Sequence, residues 1–431
     1  MDLVCDVLIV GAGLAGLNTA INLNEDLKII VLSNDKLHRC NSYLAQGGIT
    51  TVKNEADKPI FIEDTLKAGA YENDVDTVKL VANHAKEAIQ KLIDLGVPFN
   101  KDENGHLKYT KEAAHSTNRI LYSADSSGKA IWETVRDEAL KRKNIKILEE
   151  TNLIDLIVKN NEVCGGVAIR ENTNLSIYSK ITVLASGGIG GIFKNSTNYR
   201  NIKGIGISLA LKYGIELKDL DYIQLHPTAF HSTCEERKFL ITESLRGEGA
   251  KLIDDKGNRF VDELMPRDFV SQAIIKYKDE KELPCVLLDA RDMGEKYLKE
   301  RFPKIFTHCL KHGIDISKDP IPVSPCQHYF MGGIKIDSEG KTSMKNLLAC
   351  GEVSCTGLHG KNRLASNSLL EAAVYSNRVA DYINRIIEDK KLRIVPYTEK
   401  NMETLNEENE KILISTIKNE RKDLVHELLN N

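Results

Sequence analysis

The chain lacks the features of a nucleic-acid binder, a secreted disulfide scaffold or a membrane protein. Its 59 basic and 62 acidic residues leave a formal charge of −3 and are spread along all 431 positions. No basic stripe is therefore present to neutralise a phosphate backbone, and nucleic acid is not expected as a partner. The nine cysteines (Cys5, Cys40, Cys164, Cys234, Cys285, Cys309, Cys326, Cys350 and Cys355) contain no CxxC pair. Their odd number and scatter argue against both a disulfide framework and a cysteine-ligated cluster, so they read as reduced thiols. Cys350 and Cys355 are close in sequence, but two thiols cannot complete a structural zinc or iron-sulfur site. The N-terminal MDLVCDVLIVGAG has neither the basic start nor the cleavage site of a signal peptide, and no uncharged apolar run is long enough to span a bilayer. No membrane association is expected, and the cytoplasm is the expected location.

What is present is material for a large core. With 42% hydrophobic and 28% charged residues, the chain reads as a soluble globular protein of about two or three domains. Residues 5–10, CDVLIV, form an apolar run suited to a buried parallel strand. Gly11-Ala12-Gly13-Leu14-Ala15-Gly16 follows at once, then a helical stretch to about Leu23 and a second strand from Lys28 to Ser33. The first glycine permits the tight turn, the second lets backbone N–H groups approach a pyrophosphate, and the third allows helix and strand to pack closely. A lone GxGxxG is weak, but this one lies between a strand and a helix, where the mechanism requires it. The acid expected after the second strand is displaced: Ser33-Asn34 ends the strand and Asp35 comes late, which leaves the ribose contact open.

Two later segments match further cofactor contacts. Residues 181–188, ITVLASGG, are a strand running into a glycine turn, and Asn346-Leu-Leu-Ala-Cys-Gly-Glu352 is a short strand ending in Gly-Glu. The Glu352 carboxylate can accept hydrogen bonds from a ribityl chain, or else be a solvated strand-end acid. His308 and His312 stand four apart on an expected helix, but no third ligand is evident, so no metal is expected. The charge-rich stretches 278–282 and 388–393 read as solvated faces or linkers.

The segment Asn41-Ser42-Tyr43-Leu44-Ala45-Gln46-Gly47-Gly48 adds a more specific pattern. Together with the glycine motif, His226-Pro227-Thr228, Leu245-Arg246-Gly247-Glu248-Gly249, Pro266-Arg267-Asp268, Gly351-Glu352 and the run Asn362 to Glu371, it resembles the fumarate reductase and succinate dehydrogenase flavoprotein superfamily. Within that superfamily the likeness is nearest to the L-aspartate oxidases, and it holds in the same order over about residues 4–390. The resemblance implies an α/β fold: a Rossmann-like FAD domain of the glutathione-reductase type at 1–219 and 330–390, interrupted by an α+β capping domain at 220–329. A short helical segment at 391–431 follows, where the family usually has a long helical domain; residues 411–418, KILISTIK, read as one helix of it.

The resemblance also implies roles. FAD would be held by Gly11, Ala12, Gly13, Leu14, Ala15, Gly16, Asn34, Asn41 to Gly48, Glu352, Ser368 and Leu369. It would be held non-covalently, because Asn41 stands where respiratory members carry the histidine that links the flavin, and His38 is out of register. Gly204-Ile205-Gly206 replaces a GDG-like turn, and Asn34 replaces a family lysine, so weaker FAD binding is expected. His226, Thr242, His328 and Arg363 would bind a dicarboxylate, with the Arg363 guanidinium matching a carboxylate bidentately. Glu112 would face the substrate's amino group, its bland alternative being an exposed loop acid. Arg267 would serve in proton transfer; as a poor free base it would need a relay or act as a fixed charge, unless it is only a surface partner of Asp268.

The implied reaction oxidises L-aspartate to iminoaspartate, with oxygen or fumarate as acceptor and hand-off of the imine to quinolinate synthase on the way to NAD. A soluble fumarate reductase or succinate-oxidising flavoprotein is the alternative enzyme. A non-catalytic flavin-binding subunit is the alternative outside enzymes.

Overall fold

The computed structural model describes residues 2–233, 236–397 and 402–429; Cys234 lies outside the described residues. The remaining eight cysteines are free thiols, and burial raises the Cys350 and Cys355 thiols to about 12.

A seven-stranded sheet forms the frame. Ile145–Leu148, Ile29–Leu32, Asp2–Val10 and Thr173–Leu184 lie side by side in parallel, and Leu347–Ala349 joins the last of these, also in parallel. The far side continues through Glu162–Arg170 and Thr151–Lys159 in antiparallel order. The parallel strands are apolar without alternation because both faces are covered, one by Leu14–Asn22 and Asn367–Ile386, the other by Ile205–Tyr213 and the C-terminal helix; Val7, Leu8, Ile9, Ile29, Val31 and Val183 are all buried. The first strand starts at Asp2, three residues before its apolar run, since Asp2, Leu3 and Val4 pair with Ser176, Ile177 and Tyr178 of the long neighbouring strand. The helix Leu14–Asn22 packs on Asn367–Ile386, where Asn18 donates to Ser376 and Asn377 at 2.7 and 3.0 Å.

A second unit has its own core, including Phe230, Leu252, Ile305 and Val323. Its antiparallel sheet runs in the order Ile223–Phe230, Ile321–Phe330, Val286–Asp289, Lys251–Ile253. The chain enters on the first of these strands and leaves on the second, with Ile223 opposite Phe330. Both crossings therefore sit together. The division into a nucleotide domain and a cap at 220–329 is kept as a proposal.

The C-terminal helix Met402–Glu420 lies on the first unit: Leu413, Ile414 and Ile417 join its core, and Asn409 donates to the Ile154 carbonyl at 2.8 Å. Among the described residues no helix is long and apolar enough to cross a membrane.

Candidate active site

The main cleft opens at the carboxyl ends of the parallel strands, where α/β sheets bind ligands, and extends beneath the second sheet. Its open space, with the solvent at its mouth included, is about 1460 Å³.

The sheet side has the features of a nucleotide cradle. Gly11 has φ +116°, and a Cβ there would stand 2.1 Å from the Ala185 carbonyl oxygen, so only glycine lets the strand end meet the turn of the neighbouring strand. The helix beginning at Leu14 has no side-chain cap from Gly13, and apart from the Leu14 N–H, which Ser42 accepts, its first turn is placed to face an anion. Three buried polar atoms on the cleft wall lack a partner: Asn41 Oδ1, Gln46 Oε1 and Ser186 Oγ. Buried polar groups without partners mark a missing ligand, and this donor and acceptor set suits a flavin nucleotide. Asn41 also donates to Asn198 and, at 3.4 Å, to Glu352. Burial raises the Glu352 carboxyl to about 7 against the pull of the Phe330 N–H that it accepts at 3.1 Å. Asn34 lines the cleft while exchanging hydrogen bonds with Asn201; Asp35 is paired with Arg39 at 2.9 Å.

The cap, together with Arg363 of the first unit, supplies polar groups whose free donors converge. His226 and His328 come from the two crossing strands, with ring centroids 5.0 Å apart. The ladder pairs Gln224 with Tyr329 and Leu225 with Gln327, so His328 is the extra residue of a bulge, a device that re-aims a side chain beside a site. Burial first, and then the charge of Arg267, hold both imidazoles well below the usual histidine range. The hydrogen bonds assign their neutral tautomers. Arg363 donates to His328 Nε2 at 3.1 Å, so His328 Nδ1 carries the proton and donates to Thr197 at 2.7 Å. His226 Nδ1 accepts the Thr228 N–H at 3.2 Å, so its protonated Nε2 is left without a partner. Arg363 likewise spends one Nη on Ser368 at 2.9 Å and leaves Nε free. Thr242, also on the cleft wall, caps the short helix Glu243–Gly247. Unsatisfied donors on His226 and Arg363 are what a carboxylate needs.

Two buried acids complete the site. Glu112 is only 2% exposed, which rules out the exposed loop acid: Ser244 and Ser366 donate to its two oxygens at 3.0 and 2.5 Å. Burial and then the charge of Glu243 raise its carboxyl above the usual range. A Cβ on Gly47 would stand 2.0 Å from Glu112 Oε1, so the cofactor turn and this acid are in contact. Arg267 is 6% exposed and pairs not with Asp268 but with Glu243 at 2.5 Å and the Gln224 side-chain oxygen at 2.9 Å. Arg246 stands 3.3 Å beyond on the same Glu243 oxygen. Burial alone would raise Glu243; the guanidinium groups of Arg267 and Arg246 win and hold it below the carboxylate range.

The sequence-expected set thus comes together almost whole. Gly11, Ala12, Gly13, Ala15, Asn34, Asn41, Ser42, Leu44 to Gly48, Glu352, Ser368 and Leu369 line the cleft with Glu112, His226, Thr242, Arg267, His328 and Arg363. Leu14, Gly16 and Tyr43 support it instead. Leu14 is buried in the core while its N–H donates to Ser42 at 3.0 Å, a Cβ on Gly16 would meet the Gly11 carbonyl at 1.9 Å, and Tyr43 sits edge-on to Trp132. Sequence reading missed Glu243, although it directly follows Thr242 and precedes Arg246 by one helical turn. It also missed Gln224, Ser244, Ser366, Thr197 and Asn198, which lie in segments without a periodic signal. His308 is half-buried against Phe239, centroids 3.6 Å apart. No metal-binding group of His, Cys, Asp or Glu exists among the described residues.

The profile of the family described as FAD binding domain matches residues 6–369. The L-aspartate oxidase of Clostridium perfringens is 51% identical over 430 residues, taking in 100% of this chain and 98% of that protein. The L-aspartate oxidase of Clostridium acetobutylicum is 52% identical over 388 residues, 90% of this chain and 89% of that protein. A solved chain of E. coli quinol fumarate reductase is 30% identical with a TM-score of 0.84, covering 98% of this chain and 75% of that one. The short C-terminal segment is therefore shared with the C. perfringens protein rather than peculiar to this chain. A glycine cradle with unpartnered polar atoms, facing the free donors of His226 and Arg363, accords with these matches, and the chain belongs to the FAD-binding domain family, on its L-aspartate oxidase branch.

Proposed function

We propose that this chain oxidises L-aspartate to iminoaspartate with a non-covalent FAD, passes the electrons to oxygen or fumarate, and hands the imine to quinolinate synthase for NAD biosynthesis. The observation that carries the reading is the buried Glu112 carboxylate beside a set of free cationic and N–H donors. Those donors match two carboxylates; an acid among them matches an ammonium, which aspartate has and succinate lacks.

Bound FAD supplies the two-electron acceptor for a hydride from the substrate carbon. The chain's residues do the rest. Arg363, His226 and Thr242 hold the carboxylates and fix which carbon faces the cofactor. Glu112, its proton affinity raised by burial, accepts the ammonium hydrogen bonds and takes the proton released as the imine forms. Arg267 is a fixed positive charge in this direction; in fumarate reduction it would place a proton on carbon, with Glu243 and Arg246 as the groups that replace it. Asn41 has no nucleophilic nitrogen and His38 is turned against Tyr43, in keeping with a dissociable flavin.

Succinate oxidation or fumarate reduction alone is the second reading, favoured by the 30% identity to a quinol fumarate reductase chain. Anaerobic mixing of the FAD-loaded protein with L-aspartate and, separately, with succinate decides between them. Loss of the flavin's visible absorbance with aspartate alone is expected; loss with succinate alone would move the chain to the second reading.

A further inference from the structure

The cap carries two cations that the chemistry above does not use. Arg237 and Lys304 both line the cleft. The Arg237 guanidinium lies over the Tyr199 ring, 5.3 Å from its centroid, on a ring that Arg39 approaches at the same distance. Lys304 starts the helix Pro303–Lys311 as its second residue. Among the described residues neither cation forms a carboxylate ion pair. Asp125 acts on Lys304, but its Oδ2 is occupied by the N–H groups of Lys304 and Ile305 at 2.7 and 3.0 Å. Arg237 and Lys129 act on Lys304 as like charges. Holding like charges together at a cleft wall is unfavourable unless an anion visits them.

Their position relative to the inner clamp follows from the chain. Residues 239–241 run antiparallel to 228–230, with Phe230 N–H donating to the Phe239 carbonyl at 2.8 Å and Ile241 N–H to that of Thr228 at 3.0 Å. Arg237 thus lies five extended residues from Thr242, at most about 17 Å away. Phe239 and Leu240 line the cleft between them. The stack of Phe239 on His308 fixes that stretch. A path leads from a cationic outer wall, along an apolar one, to the cationic inner clamp.

We propose that Arg237 and Lys304 form an outer dicarboxylate site that captures the anionic substrate and feeds it to His226, Arg267 and Arg363. The proposal rests on the dicarboxylate reading above and adds a second site to it. The chemistry shared by all occupants is a doubly charged anion; the FAD diphosphate is the other source of one.

The test is the double variant Arg237→Gln with Lys304→Gln, loaded with FAD, with the charge-keeping pair Arg237→Lys and Lys304→Arg as control. Stopped-flow gives the second-order rates of flavin bleaching by L-aspartate and of reoxidation of the reduced enzyme by fumarate. Each is measured at ionic strengths of about 0.01 and 1 M, where the screening length is about 30 and 3 Å. The glutamine pair is expected to lose roughly tenfold in the fumarate rate at low salt. The loss should be smaller for aspartate, whose ammonium leaves it one net charge, and absent for both at high salt. The rate at saturating substrate and the FAD dissociation constant should match wild type, as should all rates of the charge-keeping pair. A tenfold weaker FAD affinity would assign the two cations to the cofactor diphosphate and overturn the proposal. Equal rates in variant and wild type at low salt would do the same. If wild-type flavin is not bleached by aspartate at any concentration, the dicarboxylate oxidase reading fails by itself. The outer site is then read from the rate at which fumarate perturbs the oxidised flavin's absorbance, and a low-salt rate indifferent to the variant rejects it.

Discussion

Glu112 holds two hydroxyl donors and almost no solvent exposure, so its charge is useful only if something cationic sits beside it. Replacing it by glutamine keeps the shape and removes the charge. Aspartate oxidation by Glu112→Gln is expected to fall about 10²-fold in kcat/KM, on the order of 3 kcal/mol, while fumarate reduction stays within a few-fold. Equal losses in the two reactions, measured on one preparation, would remove Glu112 from substrate discrimination. Glu352 gives a different expectation. Its carboxyl titrates at about 7 rather than the ordinary 4.5, chiefly because of burial. A folded-state value raised above the unfolded one means that the folded protein keeps a proton the unfolded chain releases. The contribution is intact below about pH 4.5 and is lost as pH rises from there through about 7, a loss of about 3 kcal/mol in all. Urea melts of the FAD-free protein should show Glu352→Gln gaining stability relative to wild type between pH 5 and pH 8; a pH-independent difference would mean that the carboxyl is not held protonated. Sequence alone could name Glu352 as a strand-end acid, but its hydrogen-bond partners Asn41 and Phe330 come from segments far apart in the chain.

Elements were legible where a local rule made them. The strand, glycine turn and helix at 2–22 follow from apolar runs and backbone sterics, and the ladder sets their ends. The cap strands were harder, because His226-Pro227-Thr228 interrupts one and a bulge at His328 the other. Pairing across about a hundred residues creates that bulge, and no window of sequence contains both partners. Glu243 escaped notice for the same reason: its partner Arg267 is 24 positions away. The C-terminal helix was legible as an amphipathic stretch, but its role was not. Leu413 is fully buried, and a Cβ on Gly204 would stand 2.6 Å from its Cδ2. The turn that replaces the acidic GDG-like one is therefore roofed by the tail. Leu413→Ala should cost about 2–5 kcal/mol in a urea melt, far more than alanine at the exposed Lys411 on the same helix. Similar small losses at both positions would mean that the tail is docked without contributing to the core.

At the scale of the whole molecule, the substrate clamp draws on both units, His226, Thr242, Arg267 and His328 on one and Glu112 and Arg363 with the cofactor cradle on the other, so its geometry depends on how the two are held together. The crossing strands put both connections side by side, which is the geometry of a hinge, and a clamp lies away from it. Glu248, at the end of the cap helix that carries Glu243, accepts from Arg301 at 2.7 Å and Tyr297 at 2.6 Å, both of the cap, and from Thr110 of the first unit at 2.9 Å. Arg301 in turn donates to the Ala124 carbonyl at 2.6 Å, and Asp125 accepts the first N–H groups of the helix Pro303–Lys311. These contacts tie the second unit to the first around the cavity that the histidines, Arg267 and Arg363 line. A cap that opens to pass substrate and product would have to break them, so their strength would set the closed fraction. Glu248→Gln leaves a weaker, neutral acceptor to Arg301 and shifts that fraction toward open. The expected result is a KM for aspartate raised about tenfold, for a shift of about 1.4 kcal/mol, with a saturating rate unchanged or higher where release limits turnover. Proteolytic nicking near residues 220–223 should quicken in parallel and be suppressed by succinate. A variant that melts lower yet keeps the wild-type KM and nicking rate would show that Glu248 braces the cap without governing its closure.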